Sequence, residues 1–316
     1  MKRSKIFYGW YIVGAAVLIQ LYIGGVVNFG FTAIFDPLTK EFGWSSAQIS
    51  LASSLRGLEM GILSAAVGLL LDRWGPRKLL IAGTTLIFLG YMLLSQVSSL
   101  GMFYAAFAII ALGMSACTGI VLLTSVNHWF RKKAGIATGI VASGFGMGGL
   151  IVPVVTGLID TFQWRTAMVI VGIGMLAICL PLSLIVRHKP EDYGYQTDGD
   201  TMPETPEGTE APGAQAADAE VNISVWRALR DRAFWHVSVS SMCHSFVVGA
   251  VVTHIMPYLG SVGVSRSTAA LVALILPVAS IVGRLSSGWL SNIVGNRGVY
   301  AGSFVSFTLG MFLFAY

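Results

Sequence analysis

Long apolar runs separated by short polar turns set the rhythm of this chain. Trp10–Phe35 carries no charge, and neither does Leu79–Phe130, which is long enough for two helices with a turn near Gln96–Gly101. Ala134–Ile159, Thr166–Val186 and Ala233–Ser265 are also charge-free, the last with a predicted break at Pro257–Gly263. Two runs hold charge inside them: Ser46–Leu71 contains Arg56 and Glu59, and Ser267–Ser291 contains Arg284. A final run, Gly298–Tyr316, stays apolar to its end. A helix needs about 20 apolar residues to cross a bilayer, so the pattern predicts an all-α membrane protein with nine spanning helices. The first run, at 26 residues, is too long for the apolar core of a signal peptide and reads as a retained helix.

Composition narrows the class further. Hydrophobic residues make up 55% of the 316 positions and charged residues only 11%, against about 25% charged in ordinary soluble domains. That excludes a soluble enzyme, a disordered chain and a disulfide scaffold. Cys117, Cys179 and Cys243 lie in apolar stretches at spacings that suit neither zinc nor a disulfide framework. The net charge of +5 does not point to nucleic acid, because the cations sit in short clusters between apolar runs. With the N-terminus cytoplasmic, fifteen of the twenty Lys and Arg residues fall on the inner side, as the positive-inside rule requires. The expected location is the plasma (inner) membrane. One long polar segment interrupts the pattern: Pro190–Glu220 has nine carboxylates, four prolines and no Lys or Arg. It divides the chain into a six-helix bundle, 1–189, a flexible acidic cytoplasmic linker, 190–226, and three further helices, 227–316.

Between the second and third runs stands Gly68-Leu-Leu-Leu-Asp72-Arg73-Trp74-Gly75-Pro76-Arg77-Lys78. Gly75 and Pro76 suit a tight turn, Arg73, Arg77 and Lys78 suit the cytoplasmic face, and Gly68 permits close helix approach. Asp72 at a helix end asks for a cation or a helix N-terminus. A degenerate copy, Gly288-Trp-Leu-Ser-Asn292-Ile-Val-Gly295-Asn296-Arg297, recurs 220 residues later. Repeated halves of this kind mark two-bundle secondary transporters.

Here the sequence resembles the major facilitator superfamily, whose loop signature G-x-x-x-D-R-x-G-x-R-K is matched by Gly68–Lys78. The resemblance implies a fold of two six-helix bundles, of which nine of twelve helices are present, and three more are expected beyond Tyr316. His128-Trp-Phe-Arg131 through Gly139 to Gly144 is similar to the monocarboxylate porters and oxalate:formate antiporters. So are Phe42-Gly-Trp44 through Ser50 and Val282-Gly-Arg284. Where the animal-type monocarboxylate porters carry a lysine late in helix one, this chain has Asp36. It has Ser280 where they carry an aspartate. Both departures argue against proton–monocarboxylate symport.

Arg284 is the sharpest candidate, since an ionised side chain at membrane depth is costly and marks a site by default. Its expected role is to bind a substrate carboxylate. The alternatives are pairing with a carboxylate elsewhere and snorkelling. Gln20, Gly24, Asn28 and Thr32 recur every four residues, a stripe that either lines a water-filled cavity or packs against another helix. Gln20, Asn28 and His254 are the further substrate-binding candidates, although His244 and His254 fall on different helix faces and do not suggest a metal. Arg56 and Glu59, three apart, share a helix face and can pair. They join Asp72, Arg73, Gly75 and Arg77 as gating or coupling candidates. No Walker loop, H-E-x-x-H or nucleophile elbow occurs, so neither enzymatic activity nor a cofactor is expected. The reading is a monomeric secondary transporter of small organic anions, working against membrane lipid with a coupling ion or counter-substrate. A porter for neutral or cationic compounds, or a non-transporting sensor on the same scaffold, is also compatible with the sequence.

Overall fold

Each apolar run coils into helix because a backbone in lipid must satisfy its own hydrogen bonds. The computed structural model describes residues 7–117, 119–199, 225–261 and 266–315, and among these it contains helices and turns but no strand. Four stretches are long and apolar enough to cross a membrane: Tyr8–Phe42, Ser46–Ser95, Leu100–Trp129 and Ala134–Ile185. Two of them are broken at a residue of positive φ, Gly75 at 74° in Ser46–Ser95 and Gln163 at 64° in the helix Val152–Gly174.

We label the helices α1 (Tyr8–Phe42), α2 (46–74), α3 (76–95), α4 (Leu100–Cys117 with Ile120–Trp129), α5 (134–162) and α6 (164–185). After these come a short helix Val225–Arg230, then α7 (Arg232–Ser261), α8 (Arg266–Val294) and α9 (Asn296–Ala315). α7 continues through Pro257 and ends at Ser261, within the range Pro257–Gly263 where the sequence predicts a break, of which residues 262–263 lie outside the described residues. A proline this near a helix end forfeits one backbone hydrogen bond, which the rest of the helix sustains.

Contacts between chain reversals place the helix ends. At one end Arg165 donates to the backbone oxygens of Ser95 and Val97, both at 2.9 Å, and to Glu41 Oε1 at 2.7 Å. Trp164 Nε1 donates to the other carboxylate oxygen of Glu41 at 2.6 Å. This clasp joins the ends of α1, α3 and the α5–α6 turn. The neighbouring motif Phe42-Gly-Trp44-Ser45 starts α2: Gly43 takes a left-handed cap at φ 68°, and Ser45 forms a reciprocal capping box with Gln48. At the opposite end Tyr8 Oη donates to Ile185 O at 2.9 Å and Trp129 Nε1 to Arg187 O at 3.3 Å. Arg77 donates to Leu184 O, and the His188 ring lies beside Gly75. Among the described residues, the basic turns at 73–78, 131–133 and 187–189 collect at this end.

Residues 1–201 together with 277–316 form one compact unit and 202–276 another. Within the first, α1 and α5 cross with backbone nearly touching backbone. A methyl group on Gly24 would stand 2.7 Å from Phe145 O, one on Gly25 2.6 Å from Gly148 O, and one on Gly144 2.7 Å from Val17 O. Only glycine admits that approach. In the second unit Asp231 Oδ1 accepts from the Ala233 amide at 2.9 Å and so caps α7.

Of the segment 190–226 expected as a flexible linker, the first ten residues make defined contacts, and residues 200–224 lie outside the described residues. Residues 190–199 carry two short 3₁₀ turns, Glu191–Tyr193 and Thr197–Gly199. The Arg187 guanidinium lies over the rings of Tyr8 and Tyr193, at 4.2 and 4.3 Å. Tyr195 packs on Phe7, Tyr8 and Trp129. Asp198 accepts from the amides of Arg131, Lys132 and Lys133 at 3.0, 2.7 and 3.4 Å, and so holds the turn that leads into α5. Composition averaged over the acidic segment hides two tyrosines and one carboxylate placed to meet a basic turn.

The segment is therefore expected to respond unevenly to change. Asp198→Ala should cost about 0.5–1.5 kcal/mol, the net range of a hydrogen bond, and should speed hydrogen exchange at the amides of Arg131, Lys132 and Lys133. Removing ten residues from 204–219 should leave folding and exchange unaltered, because loop-closure entropy varies slowly with length. Unchanged exchange in Asp198→Ala would show that the carboxylate is not what holds the segment.

Candidate functional site

The middle of α1 is not regular helix. After the α-helical Tyr8–Ile23 it loosens to a π-helical Gly24–Phe29 and tightens to a 3₁₀ turn, Gly30–Ile34. Such a bulge leaves carbonyl oxygens without their usual partners, and in a membrane interior those oxygens need donors. Two neighbouring helices supply them. Tyr91 of α3 donates to Val26 O at 3.3 Å, and Arg56 of α2 donates to Val27 O at 2.6 Å. Arg56 also donates to Asn28 Oδ1 at 3.2 Å and to Ser53 Oγ at 3.4 Å, and lies 5.8 Å from the centre of the Phe31 ring. It is only 7% exposed. α6 carries a second π segment, Met175–Cys179, and just before it Tyr22 of α1 donates to Val171 O at 2.9 Å.

Arg56 thus turns away from Glu59, and no ion pair joins them. Its charge is solvated by the backbone of α1, which accounts for a buried cation without a carboxylate. Glu59 and part of Arg56 border a largely apolar cavity of about 590 Å³ between α2 and α4, with Leu58 and Ile62 on one wall and Tyr104 on the other.

The polar stripe on α1 does not run as one face, because the π segment rotates the residues beyond it. Gln20 is 4% exposed, and its Oε1 has no hydrogen-bond partner among the described residues. Asn28 is half-buried on Arg56, while Thr32 is exposed and bonds back to Phe29 O. The packing alternative holds for Gly24 and Gly25, the polar contact for Asn28.

On α8, Arg284 Nη1 donates to Ala142 O of α5 at 2.8 Å, and Nε donates to Ser280 Oγ at 3.2 Å. Glycines bring these helices together. A methyl group on Gly139 would stand 2.9 Å from Arg284 O, and one on Gly288 would collide with Gly135 O. The guanidinium is exposed, and of its five N–H donors only those on Nε and Nη1 meet protein partners among the described residues.

The two loop motifs share one backbone feature. Gly75 has φ 74° and Gly295 φ 81°, so the copies 220 residues apart both place a glycine at positive φ just before the next helix. Arg77 reaches the last turn of α6 at Leu184 O, a favourable place for a cation. Asp72 and Arg73 are exposed and make no hydrogen bond among the described residues. His254 lies on α7, but its side chain falls outside the described set. Among the described residues no group of three His, Cys, Asp or Glu could hold a metal.

The sequence singles out Arg56, Asn28 and Arg284, but not the backbone oxygens that hold the two guanidinium groups. Tyr22 and Tyr91 were missed, although a tyrosine in an apolar helix signals a hydroxyl in search of an acceptor. The backbone acceptors at Val27, Val171 and Ala142 have no side-chain signature at all.

Comparison with known proteins agrees with this architecture. The family model described as Major Facilitator Superfamily matches residues 13–316. The oxalate:formate antiporter of Oxalobacter formigenes is 26% identical over 179 residues, covering 56% of this chain and 42% of that protein. Monocarboxylate transporter 12 of Mus musculus is 26% identical over 303 residues, covering 90% of this chain and 61% of that protein. The chain thus spans about half the length of these relatives. Among solved structures, the E. coli fucose:proton symporter is 18% identical with a TM-score of 0.54, over 89% of this chain and 71% of that one. At that identity the likeness is one of fold.

Proposed function

Because the chain belongs to the major facilitator superfamily, we propose that it serves as a secondary transporter of small organic anions, mono- or dicarboxylates, by alternating access. The observation that carries the reading is Arg284: a cation inside the span of α8, exposed, with Nη2 uncommitted among the described residues. An unsatisfied guanidinium edge selects for a planar anion, which it holds by paired charge-assisted hydrogen bonds. The similarity to an oxalate:formate antiporter and to monocarboxylate transporters supports the same substrate class.

In this reading two helix bundles rock about a site near the membrane midplane, with the N-terminus and the basic turns on the cytoplasmic side. Asp72, Arg73, Gly75 and Arg77 govern closure at that side. Arg56 keeps the bulge of α1 in shape next to Asn28, and Glu59 faces a cavity open to a coupling ion. Gln20 and His254 complete the substrate-binding set.

The test is uptake and counterflow of labelled oxalate, formate and lactate by the full-length protein in proteoliposomes, beside a neutral sugar and an organic cation. Saturable counterflow of an anion supports the reading. Flux of the sugar or the cation alone would move the protein to another substrate class.

A further inference from the structure

The same guanidinium that faces the proposed anion site also holds α5 to α8. We propose that Arg284 is a ligand-released latch: it ties α8 to α5 through the Ala142 carbonyl, and an arriving carboxylate draws it off, freeing the two helices to part. This rests on the anion reading, and adds to it the means by which binding is converted into motion.

Three observations carry it. First, Arg284 Nη1 reaches across to Ala142 O at 2.8 Å, so the cation is shared between a helix partner and open space. Second, the surrounding contact has no other polar connection of this kind among the described residues. Gly135 and Gly139 of α5 meet Gly288 and the Arg284 backbone of α8, and Ile281 approaches Gly146 at 3.7 Å measured from a methyl built on that glycine. Glycine against glycine packs closely but interlocks no side chains, so it leaves little to resist separation once the hydrogen bond goes. Third, the acceptor is weak by nature. Ala142 O is a neutral carbonyl inside a helix, where it already serves a backbone amide four residues on. A carboxylate offers two charged oxygens in the fork geometry that a guanidinium fits.

Ser280 plays a supporting part. Its hydroxyl holds Nε at 3.2 Å from one turn earlier on α8, keeping the Nη edge aimed at α5 while Nη2 stays available. A ligand therefore meets a guanidinium already extended, and needs only to replace the bond to Ala142.

The experiment uses full-length protein in nanodiscs, with Cys243, which is exposed, replaced by Ser. Ser291→Cys, one turn beyond Gly288 on the same face of α8, reports separation of the helices by its rate of maleimide labelling. Oxalate is the probe, and its binding is measured separately by calorimetry. The latch predicts that saturating oxalate raises the labelling rate at least threefold when Arg284 is present. It also predicts that Arg284→Gln labels at the raised rate without oxalate and no longer responds to it. A basal rate in Arg284→Gln equal to that of the parent overturns the latch. So does oxalate binding that leaves the parent's labelling unchanged, although the anion reading would then stand. Absence of oxalate, formate and lactate binding in the parent fails the anion reading itself and removes the trigger with it.

Discussion

Arg284→Gln is expected to abolish anion transport while the protein still folds and reaches the membrane. The substitution takes the guanidinium away from Ala142 O and Ser280 Oγ and with it the charge that attracts a carboxylate, while the glycine contacts of α5 with α8 keep the local shape. Arg284→Lys retains the charge and loses the planar fork. Its apparent affinity should fall roughly ten- to a hundredfold, the loss expected when a charged hydrogen bond of about 1.5–3 kcal/mol is not reproduced, with some transport remaining. Saturation kinetics on the three proteins, normalised to the amount in the membrane, decide the matter. Equal apparent affinity for an anionic substrate in the parent and in Arg284→Gln would remove the carboxylate-binding role. A purely structural arginine would instead show itself as lost folded protein in both variants.

Gly25→Ala should produce a large loss of stability. The added methyl would stand 2.6 Å from Gly148 O and 2.7 Å from Ile151 Cβ, where neither neighbour is a flexible side-chain end. The helices must part, and overpacking of this kind costs about 1–3 kcal/mol or more. The damage should spread to function, because Gly25 lies in the bulge whose Val27 carbonyl holds Arg56. Gly14→Ala on the same helix is the matched control: nothing lies within 4 Å of its added methyl, and alanine is the better helix former by up to about 1 kcal/mol. Thermal unfolding in detergent should separate the two clearly. Similar melting temperatures would mean that α1 and α5 cross less closely than the 2.6 Å approach at Gly25 requires.

The hydrophobic rhythm was enough to locate most helices, since lipid demands about 20 apolar residues per span. The turn near Gln96–Gly101 lies at residues 96–99. The reversal at Gly75 was legible from glycine followed by proline. Its counterpart at Gln163, φ 64° in a residue that rarely adopts such a value, had no such signal. Nor did the contacts of residues 190–199. There a segment with the composition of a solvated spacer meets a basic turn that is 65 to 67 residues away in sequence.

What the sequence determined by itself was the class of molecule: helices, their spacing, the loop motif and its second copy, and the few charges placed where charge is expensive. Those features come from local chemistry, because each residue's compatibility with lipid or water is a property of that residue. Where each charge goes was decided only in three dimensions. Spacing on α2 suggested that Arg56 would meet Glu59, yet the bulge of α1 offers Val27 O at 2.6 Å and Asn28 beside it. Arg284 likewise found a backbone oxygen on α5. Every residue carries a carbonyl, so nothing in a sequence marks the one that a π segment or a glycine crossing will expose to a neighbouring guanidinium.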